Sequence, residues 1–585
     1  MLQKQVSAAA YANIQRWLSE PKYAEYRDEL QEMIDEQRWQ DLEDAFFKVI
    51  EFGTGGMRGT TGVGSNRINR VTVGESTQAL CEYAASFDEK APKKGIAIAC
   101  DTRLSSPELS RYAAQVVAAN GFKAYIFDGF RSTPELSFAL RELGCAAGIV
   151  ITASHNPPSD NGFKAYWSDG AQLVPPHDIG VLEMAAKVDE VRSLAFDEAV
   201  KQGSIEILGK EIDEKYIAAV VNEAEGTERD LKIVYSPLHG AGQRNTLPVL
   251  QAAGFSVDTV DSQMTPDGNF PTIENGKANP EARAANDHAV AELMLDKADI
   301  AITNDPDADR FGIIVRQGDE PIYLSGNQSA VLGVDYTLRK RQEKGLLTGK
   351  QFVAKTIVTT DMIEAIASRY GVKCYGNMLV GFKYVGEIIR QKEGKEEFLF
   401  GSEESFGSLK GTYARDKDGA SASLPLAEYA AELKREGRTL YDRLLELYTE
   451  YGLFVERLDT FTYPGAKGFA EMREIMERLR KNPPAEVGGH KTTAVLDYST
   501  LTRTDVESGA TSEIDCIKGN VVVLEFDNEP ARRFTIRPSG TEPILKVYTQ
   551  WKTTELSDDI EEDYRETERK LEGLARELEG AVTAD

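Results

Sequence analysis

Between residues 95 and 154, short apolar runs alternate with longer segments whose apolar residues recur at helical spacing, the pattern of buried strands separated by helices. Ile96–Cys100, Ala124–Phe127 and Ala146–Ile151 are the predicted strands. Ser106-Pro107-Glu108 opens a helix that Asn120-Gly121 closes, and Thr133-Pro134-Glu135 opens another that ends at Gly144. The theme returns twice. Strands at Leu231–Tyr235, Val257–Val260 and Asp299–Thr303 enclose a helix closing at Gly254 and one over Glu281–Leu295. Strands at Phe352–Val358, Val372–Tyr375 and Phe398–Phe400 enclose helices over Asp361–Tyr370 and Phe382–Arg390. Such alternation predicts three similar α/β domains with mixed sheets. After about 455 the pattern changes to strands rich in Val, Thr, Tyr and Phe (453–463, 492–498, 520–526, 533–537, 544–551) with helices near 467–480 and 557–579, an α+β domain.

Ahead of these units, Tyr23, Tyr26, Leu30, Met33 and Ile34, followed by Leu42, Phe46, Phe47 and Ile50, predict helices packed on the first domain. The expected boundaries are a helical extension over 1–44 and domains over 45–208, 209–325, 326–453 and 454–585. No apolar run is long enough to span a bilayer, and the first residues lack a basic flank followed by an apolar stretch, so neither a membrane partner nor a secretory signal is expected. Five scattered cysteines without a CxxC pair fit reduced thiols in a cytoplasmic protein. A net charge of −27 argues against nucleic acid, and it requires that any anionic substrate be captured by local cations.

Four stretches carry candidate chemistry. In Thr152-Ala153-Ser154-His155-Asn156-Pro157-Pro158 an apolar strand runs into a hydroxyl, an imidazole and two prolines that stiffen the turn; Ser154 is read as a reactive atom, against the alternative of a capping serine. Asp305, Asp307 and Asp309 stand at alternate positions after a buried strand and ahead of Arg310, so three hard oxygen ligands can converge on one Mg²⁺. Gly401-Ser402-Glu403-Glu404-Ser405 leaves another strand with carboxylate and hydroxyl placed to read neighbouring sugar hydroxyls, and Lys417 follows as a cation for a phosphate. Arg537, Ser539, Gly540 and Thr541 combine a guanidinium fork, two hydroxyls and a glycine turn, the parts of a phosphate cradle. The glycine-rich loop 53–62, with Thr54 and Arg58, is either a flexible connection or a further anion ligand. The loop Gly381-Phe382-Lys383 is a candidate sugar contact or a structural turn. His239 reads as a packed turn residue, and the remaining histidines outside the serine motif carry no signal.

In order and spacing, these motifs resemble the α-D-phosphohexomutase superfamily from about residue 45 to the end, above all its long phosphoglucomutase branch, which also includes phosphopentomutases. The resemblance implies four domains around a central cleft, a phosphoserine at Ser154, and Mg²⁺, one per subunit, held by the three aspartates with that phosphoryl group. It further implies that Glu403 and Ser405 contact the sugar, that the Arg537 to Thr541 stretch grips the phosphate not being transferred, and that Arg58, Lys164 and His155 surround the reacting centre. The expected reaction interconverts glucose 1-phosphate and glucose 6-phosphate, with glucose 1,6-bisphosphate as primer and small sugar phosphates as the partners of a monomer or homodimer. Ser402 stands where many members have glycine, so the backbone of this sugar loop is less free. A phosphopentomutase or phosphomannomutase with the same mechanism remains open as an alternative, as do two rivals of other classes: a phosphatase with an aspartate nucleophile, and a catalytically silent sugar-phosphate sensor.

Overall fold

The computed structural model describes residues 2–50, 56–463, 466–539 and 544–583, so Thr54, Gly540 and Thr541 lie outside the described residues. By backbone contacts the chain divides into two compact units. The first comprises Met1–Tyr323, Gly386–Glu393 and Phe406–Ala431; the second comprises Leu324–Val385, Gly394–Ser405 and Glu432–Asp585.

In the first unit, helices Ala8–Ser19, Arg27–Asp35 and Trp39–Phe46 bury Ile14, Trp17, Leu30, Leu42 and Phe46 together with Val63 and Val71. The predicted extension therefore packs on the domain that follows it. Strands β1 (Met57–Thr60), β2 (Ile96–Cys100), β3 (Ala124–Phe127), β4 (Ala147–Ile151), β5 (Asp160–Trp167) and β6 (Ile205–Leu208) form one sheet in the order β1-β5-β4-β2-β3-β6. Its β2, β3, β4 and β6 are parallel, while β5 runs antiparallel to β4 and β1 to β5. A second sheet holds β7 (Lys232–Ser236), β8 (Ser256–Thr259), β9 (Ile300–Asn304), β10 (Phe311–Gln317) and β11 (Glu320–Leu324) in the order β11-β10-β9-β7-β8.

In the second unit, β12 (Gln351–Lys355), β13 (Lys373–Tyr375) and β14 (Glu397–Glu403) pair in parallel with β12 central. In all three sheets the chain goes from a central strand to one neighbour and then crosses to the other side. β2 and β4, β7 and β9, and β12 and β14 are thus the pairs at which the direction of winding reverses. A crevice opens at the carboxyl ends of such pairs, which is where open α/β sheets take their ligands. Ser154, Asp305 and Glu403 all stand at or just beyond one of these carboxyl ends.

β15 (Gly407–Lys410) leads into the helix Gly419–Arg435. The C-terminal sheet comprises β16 (Leu453–Thr462), β17 (Glu486–Val487), β18 (His490–Asp497), β19 (Thr502–Asp505), β20 (Thr511–Glu513), β21 (Val522–Phe526), β22 (Glu529–Pro538) and β23 (Ile544–Thr553). Its order is β16-β23-β22-β21-β18-β19-β20, with β17 beside β18, and its described pairings are antiparallel. The helix Ile560–Thr583 lays Leu571, Leu574, Leu578 and Val582 inward.

Some elements escape the hydrophobic pattern. Helix Arg70–Phe87 buries Thr72, Ser76, Thr77 and Gln78 as well as Val73 and Leu80, so no apolar stripe marks it. In β5, Asn161-Gly162 reads as a turn but lies inside a buried strand, where Asn161 donates to Ser105 and Ser106. The helix expected over 281–295 begins only at Asp287, because Arg283–Asn286 form a tighter 3₁₀ turn closed by the Asn286 amide on Pro280 and Ala282.

Candidate active site

β4 carries its apolar run into the sheet and then releases Thr152, Ala153 and Ser154 at its end. The Thr152 hydroxyl donates to Asp101 at 2.6 Å and accepts from the Ser154 N–H at 2.8 Å. The loop beyond β2 thereby grips the loop beyond β4. Ser154 sits in the left-handed region at φ 53, a conformation that costs a non-glycine residue energy and persists only where surroundings enforce it. Its Oγ donates to Asp305 Oδ2 at 2.6 Å and lies 3.3 Å from His155 Nδ1.

The three aspartates occupy a turn held from several sides. Asp305 accepts from the Arg310 N–H at 3.0 Å, and Ala308 takes the left-handed region at φ 53 to bring the chain round. Gly240 lies against this turn, where an added Cβ would stand 2.4 Å from Pro306 Cα, so only glycine fits. Thr133, at the start of a helix in the first sheet's layer, donates its hydroxyl to Asp307 Oδ2 at 2.7 Å and its N–H to the Asp307 carbonyl at 2.9 Å.

β5 delivers Lys164, whose ammonium lies 2.7 Å from Asp307 and 3.1 Å from Asp309 with only 1% of its side chain exposed. Lys417 approaches Asp309 at 3.2 Å from a loop pinned by Tyr166 on Asp416 and Tyr216 on Asp418. Arg58 faces Gly162 across the β1–β5 ladder, and with Arg310 it lies within charge range of His155.

Burial pushes all three carboxyl groups toward the neutral acid. Asp305, with its two acidic neighbours adding to this, is driven well above the ordinary range. Lys164 overcomes burial at Asp307, and Lys164, Lys417 and Arg310 overcome it at Asp309, so both are held low. The same attraction raises Lys164 despite its burial. His155 moves the other way: burial first, then Arg310 and Arg58, push its imidazole well below 6.5 and keep it neutral.

Carboxylate oxygens of Asp305, Asp307 and Asp309 lie within 4.8 Å of one another. Asp307 Oδ1 and Asp309 Oδ1 are buried and have no hydrogen-bond partner among the described residues. Three hard anionic donors with two uncommitted buried oxygens fit a divalent cation that prefers oxygen ligands.

The remaining expected residues belong to the second unit. At the end of β14, Glu403 accepts from the Gly381 N–H at 3.0 Å, which joins the strand end to the loop carrying Phe382 and Lys383; both of these are buried. Ser405 is half-buried. Arg537 pairs with Lys546 in the β22–β23 ladder, and Ser539 donates its N–H to Ile544 at 2.7 Å, so both sit where the hairpin begins to turn, half-buried. Back in the first unit, His239 is a packed turn residue, as expected, held by Thr265 and Thr272.

Two residues that hold the Asp307 and Ser154 turns carry little signal of their own. Thr133 looks like a helix opener, yet it orients Asp307. Arg103 looks like part of a loop, yet its guanidinium spans the Ser154 turn. A basic residue two positions after Asp101, just past the end of a buried strand, is the trace that could have pointed to it.

A serine hydroxyl and a neutral imidazole set among three aspartates and several cations, at the switch points of repeated α/β sheets, define a machine for moving a highly charged group. Family models described as phosphoglucomutase/phosphomannomutase α/β/α domains I, II and III match residues 49–192, 214–318 and 325–451, and the model of the C-terminal domain matches 476–567. The chain belongs to the phosphoglucomutase/phosphomannomutase family, within the α-D-phosphohexomutase superfamily, and is an isomerase of the phosphohexomutase type.

It is 35% identical over 528 residues to a phosphoglucomutase of Staphylococcus epidermidis, covering 89% of this chain and 94% of the relative. It is 34% identical over 523 residues to one of Staphylococcus aureus, covering 88% and 92%. Among solved structures, the Paramecium phosphoglucomutase pp63/parafusin in its open form shares the fold at a TM-score of 0.64 and 17% identity, covering 90% of this chain and 95% of that one. A family protein of Burkholderia thailandensis gives 0.64 at 18% identity, covering 91% and 97%. Among the described residues no helix is long and apolar enough to cross a membrane.

Proposed function

We propose that the protein is a cytoplasmic phosphoglucomutase, active as a monomer or homodimer, that interconverts α-D-glucose 1-phosphate and glucose 6-phosphate through a phosphoserine at Ser154. The observation that carries this reading is the Ser154 hydroxyl, 2.6 Å from Asp305 at the centre of a buried cluster of aspartates and lysines. In the forward half-reaction the free sugar hydroxyl attacks the phosphorus on Ser154. Its new O–P bond forms as the Oγ–P bond breaks; of the two candidate bases His155, kept neutral, takes the hydroxyl proton, while Lys164, held as an ammonium by Asp307 and Asp309, offsets charge.

Glucose 1,6-bisphosphate then turns end for end. Its other phosphate returns to Ser154, while Arg537, Ser539, Gly540 and Thr541 hold whichever end is remote. Arg58, Arg310 and Lys417 offset charge at the transferred group, Thr54 is a further candidate phosphate ligand, and Glu403 and Ser405, with the 381–383 loop, bind the sugar hydroxyls. Asp305, Asp307 and Asp309 would hold one Mg²⁺ per subunit together with the phosphoryl group; the ion supplies charge neutralisation. Residues 45–208, 209–325, 326–453 and 454–585 thus serve as phosphoserine, metal, sugar and phosphate domains. The Staphylococcus relatives, which bear the name phosphoglucomutase, support glucose as the sugar.

Incubation with ³²P-labelled glucose 1,6-bisphosphate and peptide mapping tests the reading. Label on Ser154 is expected, whereas label on an aspartate would make the protein a phosphatase of another mechanism. Specificity constants for glucose 1-phosphate, mannose 1-phosphate and ribose 1-phosphate, each with a bisphosphate primer, then test the sugar. A tenfold preference for ribose 1-phosphate would make the chain a phosphopentomutase.

A further inference from the structure

One side chain reaches four carbonyls of the Ser154 turn from behind. Arg103 follows β2, is 1% exposed, and donates from Nη2 to the carbonyls of Ser154 and Asn156, both at 2.6 Å. From Nη1 it donates to Pro157 at 2.6 Å and Asp160 at 2.8 Å. Its Nε lies 3.2 Å from Asp101 Oδ2, the oxygen that also takes the Thr152 hydroxyl, and Asp101 Oδ1 accepts from Ser106 at 2.6 Å and from the Arg103 N–H at 3.0 Å.

A loop of the second sheet's layer shields the guanidinium from water. Phe270, fully buried, stands 5.4 Å from it ring to cation, and Gly268 comes so close that an added Cβ would lie 2.7 Å from Arg103 Cα. A rigid, permanently charged fork with four carbonyl partners spread over seven residues can hold a strained backbone that hydrogen bonds within the turn do not account for. Within that turn the described bonds run from Asn156 N–H to Ala153, from Asp160 N–H to Pro157, and from the Asn156 amide and the Ser159 hydroxyl to the Asp160 carboxylate, and none of these takes the Ser154 carbonyl.

We propose that Arg103 is a positioning residue for phosphoryl transfer: it staples the backbone of 154–160 so that Ser154 Oγ stays aimed at Asp305. This rests on the reading of Ser154 as the phosphate carrier. Arg103 touches no reacting atom. Its effect passes through the carbonyls of the turn, and a nucleophile displaced by about 1 Å loses on the order of a hundredfold in rate.

The test compares Arg103→Lys, Asp101→Asn and Ser154→Ala in the full chain, by kcat, KM for glucose 1-phosphate, and hydrogen exchange of the peptide spanning 154–160. Lysine keeps the charge and the ion pair but cannot span four carbonyls. Arg103→Lys is expected to lower kcat about a hundredfold with KM within about threefold, and to speed exchange of the 154–160 amides while β2 and β4 stay protected. Should Arg103→Lys fail to fold, Asp101→Asn carries the test by the same readouts, with about a tenfold fall in kcat.

A folded variant with kcat within threefold of wild type overturns the proposal. So does a fall in kcat with loop exchange unchanged, or a loss confined to KM. Activity surviving in Ser154→Ala would instead overturn the carrier reading itself, whereas an inactive Ser154→Ala beside an unimpaired Arg103→Lys removes the staple alone.

Discussion

The groups around Ser154 and Glu403 stand at the ends of related parallel strands and Arg537 stands in an antiparallel hairpin, and the side chains of the two regions differ in how they are held. Ser154, Lys164, Asp305, Asp307 and Asp309 are each at most 1% exposed and tied to one another by bonds of 2.6–3.1 Å. Glu403 is buried on the Gly381 amide, whereas Ser405, Arg537 and Ser539 are half-buried. Phosphoryl transfer gains most from charges fixed before the reaction, since dipoles already in place need no reorganisation at the transition state. In the proposed reaction the sugar presents first one end and then the other and needs partners that water and ligand can reach, and Ser405, Arg537 and Ser539 keep part of their surface open. On the proposed reading, the bonds tying hydroxyl, ammonium and carboxylates to one another mark the reacting group, and the half-buried Arg537 and Ser539 mark a recognition group.

The sharpest way to break that contrast is Ser154→Ala. A methyl group cannot carry phosphate, so turnover should fall by about a thousandfold or more with the fold intact by circular dichroism. A residual rate above about a tenth of wild type would move the chemistry elsewhere.

Removing divalent metal should abolish transfer nearly as completely, because three buried carboxylates beside a phosphoserine repel one another without a cation. Mg²⁺ should restore it. Full activity with metal content shown to be negligible would contradict the assignment of the aspartates. Asp307→Asn should cause a similar loss that added Mg²⁺ only partly recovers, since one hard donor is missing while Lys164 and Thr133 keep their neighbours.

At the recognition end the losses should be smaller. Glu403→Ala should lower the specificity constant for glucose 1-phosphate about ten- to hundredfold, the equivalent of about 1–3 kcal/mol for an unmade hydrogen bond, while Ser154 still takes phosphate from small donors. If phosphorylation of Ser154 fails as well, the two regions are not separable in function. Smallest of all, Arg537→Lys should raise KM about tenfold and leave kcat within a factor of a few, because a point charge replaces a two-pronged donor at a phosphate that does not react. A fall in kcat without a change in KM would place Arg537 among the groups acting on the transition state.

Much of this was legible from residue order. Apolar runs bounded by caps and glycines located β2, β3, β4, β7, β9 and β12, because a strand buried on both faces must be apolar throughout. The three aspartates announced themselves because alternate carboxylates after a buried strand have few other uses, and their oxygens do converge. Lys164 was named only through family resemblance, and Arg58 by its glycine-rich loop as well; they lie in β5 and β1, which are paired with each other and carry no apolar alternation to mark them.

What the chain order could not show is how residues from separate strands meet. Arg103 and Thr133 are ordinary loop and cap residues until β2 and β4 become neighbours and the second sheet's layer brings Asp307 and Phe270 against them. Local patterning records which face of an element avoids water, so it determines the elements and the types of group at their ends. The left-handed backbone at Ser154, its four-carbonyl staple and the low carboxylates at Asp307 and Asp309 arise from contacts between residues 50 to 150 positions apart. Such contacts exist only once packing has excluded water from all of them together.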